Sequence, residues 1–429
     1  MSASVDLTSR RTGLVLTGGG ARAAYQIGVL NAVARIQRET GAPHGNPFPV
    51  IVGTSAGAIN AAALASHADH FDAGVVRLAD VWRNFSAEQV YRADAFGVMR
   101  SGARWLTMLT GGWALARWRR LNPRSLLDNR PLAALVDDML HPERVREVMQ
   151  AGHLHALAVS TSSYTSGVHV TFYDTVGSFR PWTRSQRVAV AGSITVPHLL
   201  ASAAIPFLFP AVPLSIDART EWFGDGSMRQ TAPISPAIHL GAERVLVIGA
   251  GRMHEPPGVY AAASEYPSVA QIAGHGLSSI FLDALAADVE RLTRINRTLT
   301  LVPADARSQS ELKPIDVLVI APSERLDDIA ARHIDSLPRP VRALLHGIGV
   351  HGPNHHEASG AALASYLLFE SSYTGELIAL GENDTLARRD EVVRFFGWQP
   401  GREANPAEAL SVARTRPPEP KPTDIGVRV

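Results

Sequence analysis

The 429-residue sequence predicts an α/β protein with a mostly parallel sheet covered by helices on both faces. Short apolar runs alternate with helical patterns, Gly and Pro punctuate the joins, and a 46% hydrophobic composition can fill a large core. Gly13 to Thr17 is an apolar run that ends in three glycines, and the pattern of Ala23 to Arg35 follows as a helix. After the Gly/Pro/Asn connection Gly41 to Pro47, Pro49 to Val52 reads as a second buried strand. It breaks at Gly53 and enters the Ala-rich helix Ala56 to His67. Further strands are expected at Ala156 to Thr161, Val168 to Tyr173, Trp222 to Phe223, Val245 to Ile248 and Asp316 to Ile320. Val168 to Tyr173 follows a Ser/Thr/Gly turn and should pair as a hairpin with the strand before it, so the sheet is expected to be mixed.

The organisation expected is a flexible N-terminus over 1–11, a catalytic domain over 12–326, a C-terminal helical extension over 327–400 and a disordered Pro/Arg-rich tail over 401–429. With 41 Lys and Arg against 40 Asp and Glu, the net charge of +1 gives no global field to draw the chain to nucleic acid, and any membrane contact must be a local patch. Cysteine is absent, which excludes disulfides, thiolate nucleophiles and cysteine metal sites. The polar start MSASVDLTSRRTG lacks the apolar core of a secretory signal, so cytoplasmic residence is expected. No spanning helix is expected; the nearest candidate, Thr195 to Ile216, is interrupted by Pro197, Pro206, Pro210 and Pro213 and reads as a buried, bent segment.

The chemistry starts at Gly53-Thr54-Ser55-Ala56-Gly57, a G-x-S-x-G pattern entered by a strand and left by a helix. Such an elbow pushes the Ser55 hydroxyl out above the sheet, needs small residues at Gly53 and Gly57, and aims helix amides at developing negative charge. Gly18-Gly19-Gly20-Ala21-Arg22 allows two readings. As a dinucleotide fingerprint it would need an acidic residue ending the second strand; Glu39 has a plausible spacing but lies in the helix tail before Gly41. As an oxyanion hole its amides would hold a tetrahedral intermediate, and this reading is favoured. Arg22 either adds positive charge there or is a surface residue of a first helical turn.

Ser55 needs a base. None of the 16 histidines sits in an evident strand-end loop, although a histidine base stays open. Asp225, in Trp222-Phe223-Gly224-Asp225-Gly226-Ser227, would place a carboxylate at a sheet edge; an ordinary Asp-Gly turn competes evenly on spacing alone.

Four ordered blocks together resemble the patatin-like phospholipase family: Gly18 to Leu30, Gly53 to Ala61, Ala201 to Pro210, and Asp225-Gly226 with Pro233 downstream. The resemblance implies a three-layer α/β/α sandwich and a Ser-Asp dyad. Ser55 would be the nucleophile, Asp225 its base and the Gly18 to Ala21 backbone the oxyanion hole, with a lipid or other acyl-ester substrate and no metal or organic cofactor. Ser227 departs from the family pattern, which carries Ala or Gly there. An acyltransferase or thioesterase could use the same elbow, and a non-catalytic nucleotide- or lipid-binding protein could keep the glycine loop.

Two further segments stand out in composition. Ala95 to Leu127 carries no acidic residue and interleaves Arg100, Arg104, Arg117, Arg119, Arg120 and Arg124 with Trp105, Trp113 and Trp118. This suits a peripheral membrane contact, while a pair of amphipathic helices packed on the sheet is slightly favoured. His346, His351, His355 and His356 invite a metal reading, but Gly347, Gly349, Gly352 and Pro353 interrupt them, and an exposed loop is expected instead.

Overall fold

The computed structural model describes residues 11–92, 125–177, 179, 181–253, 266–310, 312–350 and 360–398. The arginine- and tryptophan-rich segment up to residue 124, three of the four clustered histidines, residues 1–10 and the C-terminal tail lie outside the described residues.

Ten strands form one mixed sheet. They are β1 (Thr12–Leu16), β2 (Val50–Thr54), β3 (Ala156–Ser163), β4 (His169–Thr175), β5 (Thr183–Arg184), β6 (Arg187–Ala191), β7 (Val212–Ile216), β8 (Arg219–Asp225), β9 (Arg244–Ile248) and β10 (Asp316–Ile320). The order is β10-β9-β1-β2-β3-β4-β6-β5, with β8 paired to β3 and β7 to β8. From β10 to β3 all pairings are parallel. The expected β3–β4 hairpin is antiparallel, with Ala158 opposite Tyr173. The expected strands are all present, with β8 longer than its two predicted residues. Strands β5, β6 and β7 were not anticipated: β5 is exposed, β7 alternates between solvent and core and carries Pro213 and Ser215, and β6 is an apolar run, Val188 to Ala191, that the sequence reading passed over.

Strand alternation divides the core. Leu14, Leu16 and Ile51 face the larger hydrophobic layer, and Val15, Val50 and Val52 face the smaller one on the other side of the sheet. The larger layer holds α1 (Ala24–Glu39), α2 (Ala56–Ala65), α3 (Phe71–Arg83), α4 (Arg130–Met139) and α5 (Val196–Ser202). Thr195 to Ile216 is therefore a helix, a turn and strand β7, bent as expected but buried only in part, since Phe207 is 71% exposed and Pro213 and Ser215 face solvent. A helical run from Val269 to Leu301, here α6, is by length and composition alone long and apolar enough to cross a membrane, which the sequence reading did not single out. It packs on the protein through Ala270, Gly274, Phe281 and Leu285.

Beyond residue 326 the helical expectation holds: α7 (Leu326–His333), α8 (Ala361–Leu367), α9 (Ser371–Ala387) and α10 (Arg389–Phe396) follow, with a helix at Arg339–Gly347 between α7 and α8. These helices share the larger core with the elements before them, through Leu326, Tyr366, Leu377 and Phe396. Helix α1 is buried on nearly every side, packed chiefly against α9 and α3. Their backbones approach closely at two glycines: a Cβ on Gly28 would overlap the Ile378 carbonyl oxygen, and one on Gly381 would overlap that of Tyr25. The Tyr25 hydroxyl donates to Asp384 Oδ2 at 2.9 Å across the same crossing.

Candidate active site

Both signature loops lie at the carboxyl ends of adjacent parallel strands, β1 and β2, where α/β sheets place their ligands. At the end of β1, the Thr17 N–H and Oγ1 both donate to the Ile248 carbonyl, at 3.3 and 3.1 Å. The glycine loop then turns through Gly20, whose φ of 55° is left-handed. A short 3-10 turn, Gly20–Ala23, leads into α1. Its first hydrogen bond runs from the Arg22 N–H to the Gly19 carbonyl at 3.1 Å. The amides of Gly18, Gly19, Gly20 and Ala21 precede that bond and are unused by the turn, whereas the Arg22 amide is spent.

The Arg22 side chain overturns both sequence readings of it. It is 2% exposed, so it is no surface residue, and it points into the C-terminal helices rather than lending the loop a free charge. Its Nε donates to Ser365 Oγ at 2.7 Å, its Nη2 pairs with Asp327 and donates to the Ala362 carbonyl, and its guanidinium lies 4.0 Å from the Tyr366 ring centre. A buried cation satisfied by a carboxylate, a hydroxyl, a carbonyl and a ring face is an anchor.

The elbow has the geometry its residue types predict. Ser55 sits between β2 and α2 with φ 56° and ψ −131°, a conformation that is costly for a residue with a side chain. A Cβ on Gly57 would overlap the Leu16 and Thr17 carbonyls, and one on Gly53 would overlap the Gly57 carbonyl. Only glycines let the three turns nest.

Asp225 is the last residue of β8, fully buried. It stands opposite Thr161 of β3, beyond Phe223, the last residue of β8 that β7 pairs, and a 3-10 turn rather than a hairpin turn follows. Its Oδ2 accepts the Ser55 hydroxyl at 2.6 Å, its Oδ1 accepts the Ser227 N–H at 2.9 Å, and its own N–H donates to the Ala204 carbonyl at 3.0 Å. Burial pushes its pKa up to about 6, against the opposing pull of the Ser55 and Ser227 hydrogen bonds. The carboxylate is thus ionised at neutral pH and more basic than a solvated one. Among the described residues no histidine hydrogen-bonds to Ser55. Burial holds the buried His169 and the half-buried His198 down to about 4, so both are neutral at pH 7.

Several supporting residues escaped the sequence reading. Ser202 Oγ accepts the Ser55 N–H at 2.8 Å and donates to the Ser160 carbonyl at 2.6 Å, tying the elbow to β3. Gln26 donates to the Thr17 carbonyl at 2.7 Å; Asn60 donates to Gln26 at 2.9 Å and accepts from Trp82 Nε1 at 2.8 Å. These links lock the glycine loop to α1, α2 and α3. Gln26, Asn60 and Ser202 lie inside the quoted blocks, and a polar side chain on an otherwise apolar helix face was the available signal.

Ser55 lines an apolar slot whose walls also include Trp82, Phe85, Leu132, Met139, Phe209 and Phe369. A wider depression elsewhere on the surface, lined by Arg291, Arg294, Thr298 and Leu312, holds no buried nucleophile. The dinucleotide reading loses its acidic partner: Glu39 ends α1, at the opposite end of that helix from the glycine loop, and pairs with Arg35 and Arg389. Among the described residues no group of three or more acidic or histidine side chains could hold a metal ion.

The fold and the strand-turn-helix around Ser55 place the chain among α/β proteins with a nucleophile elbow. A family model described as patatin-like phospholipase matches residues 14–238, just over half of the chain, and the chain belongs to that family. Membership supports lipid ester hydrolysis in general. Among solved structures, VipD from Legionella pneumophila is similar over 86% of this chain and 67% of its own, at 12% identity and a TM-score of 0.29, a likeness that carries no argument about residues. No curated protein matches in sequence.

Proposed function

We propose that the chain hydrolyses lipid esters, as a phospholipase A or lysophospholipase does, with Ser55 as nucleophile and Asp225 as general base. The observation that carries this reading is the 2.6 Å hydrogen bond from the Ser55 hydroxyl, at a strained elbow, to a fully buried carboxylate. As Ser55 Oγ attacks the ester carbonyl carbon, its proton passes to Asp225 Oδ2, and negative charge grows on the former carbonyl oxygen. The Gly18 to Ala21 amides at the start of the 3-10 turn are the donors offered to that oxygen. Collapse expels the alcohol, which takes the proton from Asp225, and leaves an acyl-enzyme. Water then attacks with Asp225 again accepting the proton, and the fatty acid and free Ser55 are regenerated.

The slot supports this substrate class. Its aromatic and aliphatic walls suit an acyl chain and offer no charged group to a polar acid, so the apolar part of the ester enters there. A fluorophosphonate probe tests the nucleophile. Covalent labelling of the wild-type chain that disappears in Ser55→Ala is expected; unlabelled wild type, or labelling that survives the substitution, contradicts the assignment.

A further inference from the structure

Ser227 follows Asp225-Gly226 in the 3-10 turn Gly226–Arg229 and is 5% exposed. Its N–H is used on Asp225 Oδ1, but its hydroxyl completes no hydrogen bond in the structure. A buried hydroxyl without a partner costs about 1–3 kcal/mol, so stability alone would favour alanine here. The hydroxyl is nevertheless given room. A Cβ on Gly18 would overlap it and come within 3.0 Å of the Phe281 ring, so the side chain stands at the junction of the glycine loop, the base and α6. Asp225 has accepting capacity left there, since a carboxylate offers about four lone-pair sites and two donors are seen on it.

We propose that the Ser227 hydroxyl is a positioning residue for the base, turning onto the Asp225 carboxylate to hold it charged and aimed at Ser55. The inference rests on Asp225 being the base. Its influence is largest in the acyl-enzyme, where Ser55 Oγ carries the acyl group and no longer donates, so that Ser227 supplies the remaining side-chain donor. Gly18 takes on a second role, as the residue whose missing side chain leaves the hydroxyl free to turn.

The test is the pH dependence of kcat/KM, which reads the free enzyme, and of kcat, which reads the bound and acyl-enzyme forms, for Ser227→Ala and Ser227→Cys beside Asp225→Asn, on an ester with a short acyl chain. One hydrogen bond to a charged group corresponds to about one pKa unit. The acid limb of Ser227→Ala should therefore move up by about that much, with activity falling roughly ten-fold below the limb and little above it. Ser227→Cys, with a weaker donor, should fall between. An unmoved limb in a folded Ser227→Ala, together with an inactive Asp225→Asn, overturns the role of Ser227 alone. An active Asp225→Asn instead overturns the dyad. If Ser227→Ala melts lower with an unmoved limb, the hydroxyl is merely structural and the proposal fails.

Discussion

The glycine loop and elbow, within residues 17–61, and the helices from Leu326 to Phe396 support the same few atoms by opposite means. The first region concentrates its chemistry in contiguous signatures. The second carries no motif, yet it receives Arg22, covers α1 and abuts Gly20 through the Tyr366 carbonyl. Turns that bring three backbones together require particular residues at fixed spacing, whereas support across 300 residues needs only complementary shapes that many sequences supply. Chemistry here is encoded locally, and its rigidity is encoded at long range.

The sharpest way to break this comparison is the crossing of α1 and α9. Gly28→Val should abolish folding or cost several kcal/mol, because backbone, rather than a flexible side chain, blocks the added atoms. Gly375→Ala, in the same α9 but with open space around it, should instead stabilise the protein by roughly 0.5–1 kcal/mol. Thermal melts of the two variants decide whether packing or helix propensity governs α9.

The anchor comes next. Arg22→Met leaves Asp327 without its cation and should cost about 1–3 kcal/mol, since the carboxylate is 27% exposed and keeps the Ser365 hydroxyl, so that water and that donor offset part of the loss. Adding Asp327→Asn should recover part of that cost in a double-mutant cycle. Additive losses would mean that the pair does not couple the regions. Ser202→Ala should lower kcat by about ten-fold with a smaller stability loss, because the elbow keeps its fold while the Ser55 amide loses an acceptor. Steady-state kinetics beside a melt separates the two effects.

Asp225 ties function to a stability cost. Its folded pKa of about 6 lies above the ordinary carboxylate value, so the folded state binds more protons and this group destabilises the protein as pH rises from about 4 to 6. Asp225→Asn should therefore melt higher than wild type at pH 8, and the gain should shrink toward zero by pH 4. A gain that persists at pH 4 would point to some cause other than the buried charge.

The strands of the parallel half were legible because burial on both faces forces continuous apolar runs, as in Val245 to Ile248. Strands β5 and β7 were not, since solvent-facing residues relax that demand, whereas β6 carries an apolar run, Val188 to Ala191, that the reading passed over. At the site, Ser55 and the elbow glycines could be read from spacing, and Asp225 was singled out but left even with a plain turn until the family pattern was added. The structure supplies what decides its surroundings: complete burial, the contact with Ser55 and the absence of a histidine hydrogen-bonded to Ser55 among the described residues. Arg22 was misread because its partners, Asp327 and Ser365, lie more than 300 residues away. No local pattern predicts that pairing.

Turnover of a lipid ester by Asp225→Asn, measured across pH beside the wild type, tests the dyad. The wild-type kcat/KM should fall on the acid side with a midpoint near pH 6, and the variant, while remaining folded, should lose roughly 10²- to 10⁴-fold above that midpoint, the deficit narrowing at lower pH because the variant has no acid limb of its own. Near-wild-type turnover by Asp225→Asn, or the same acid limb surviving in it, would contradict Asp225 as the base.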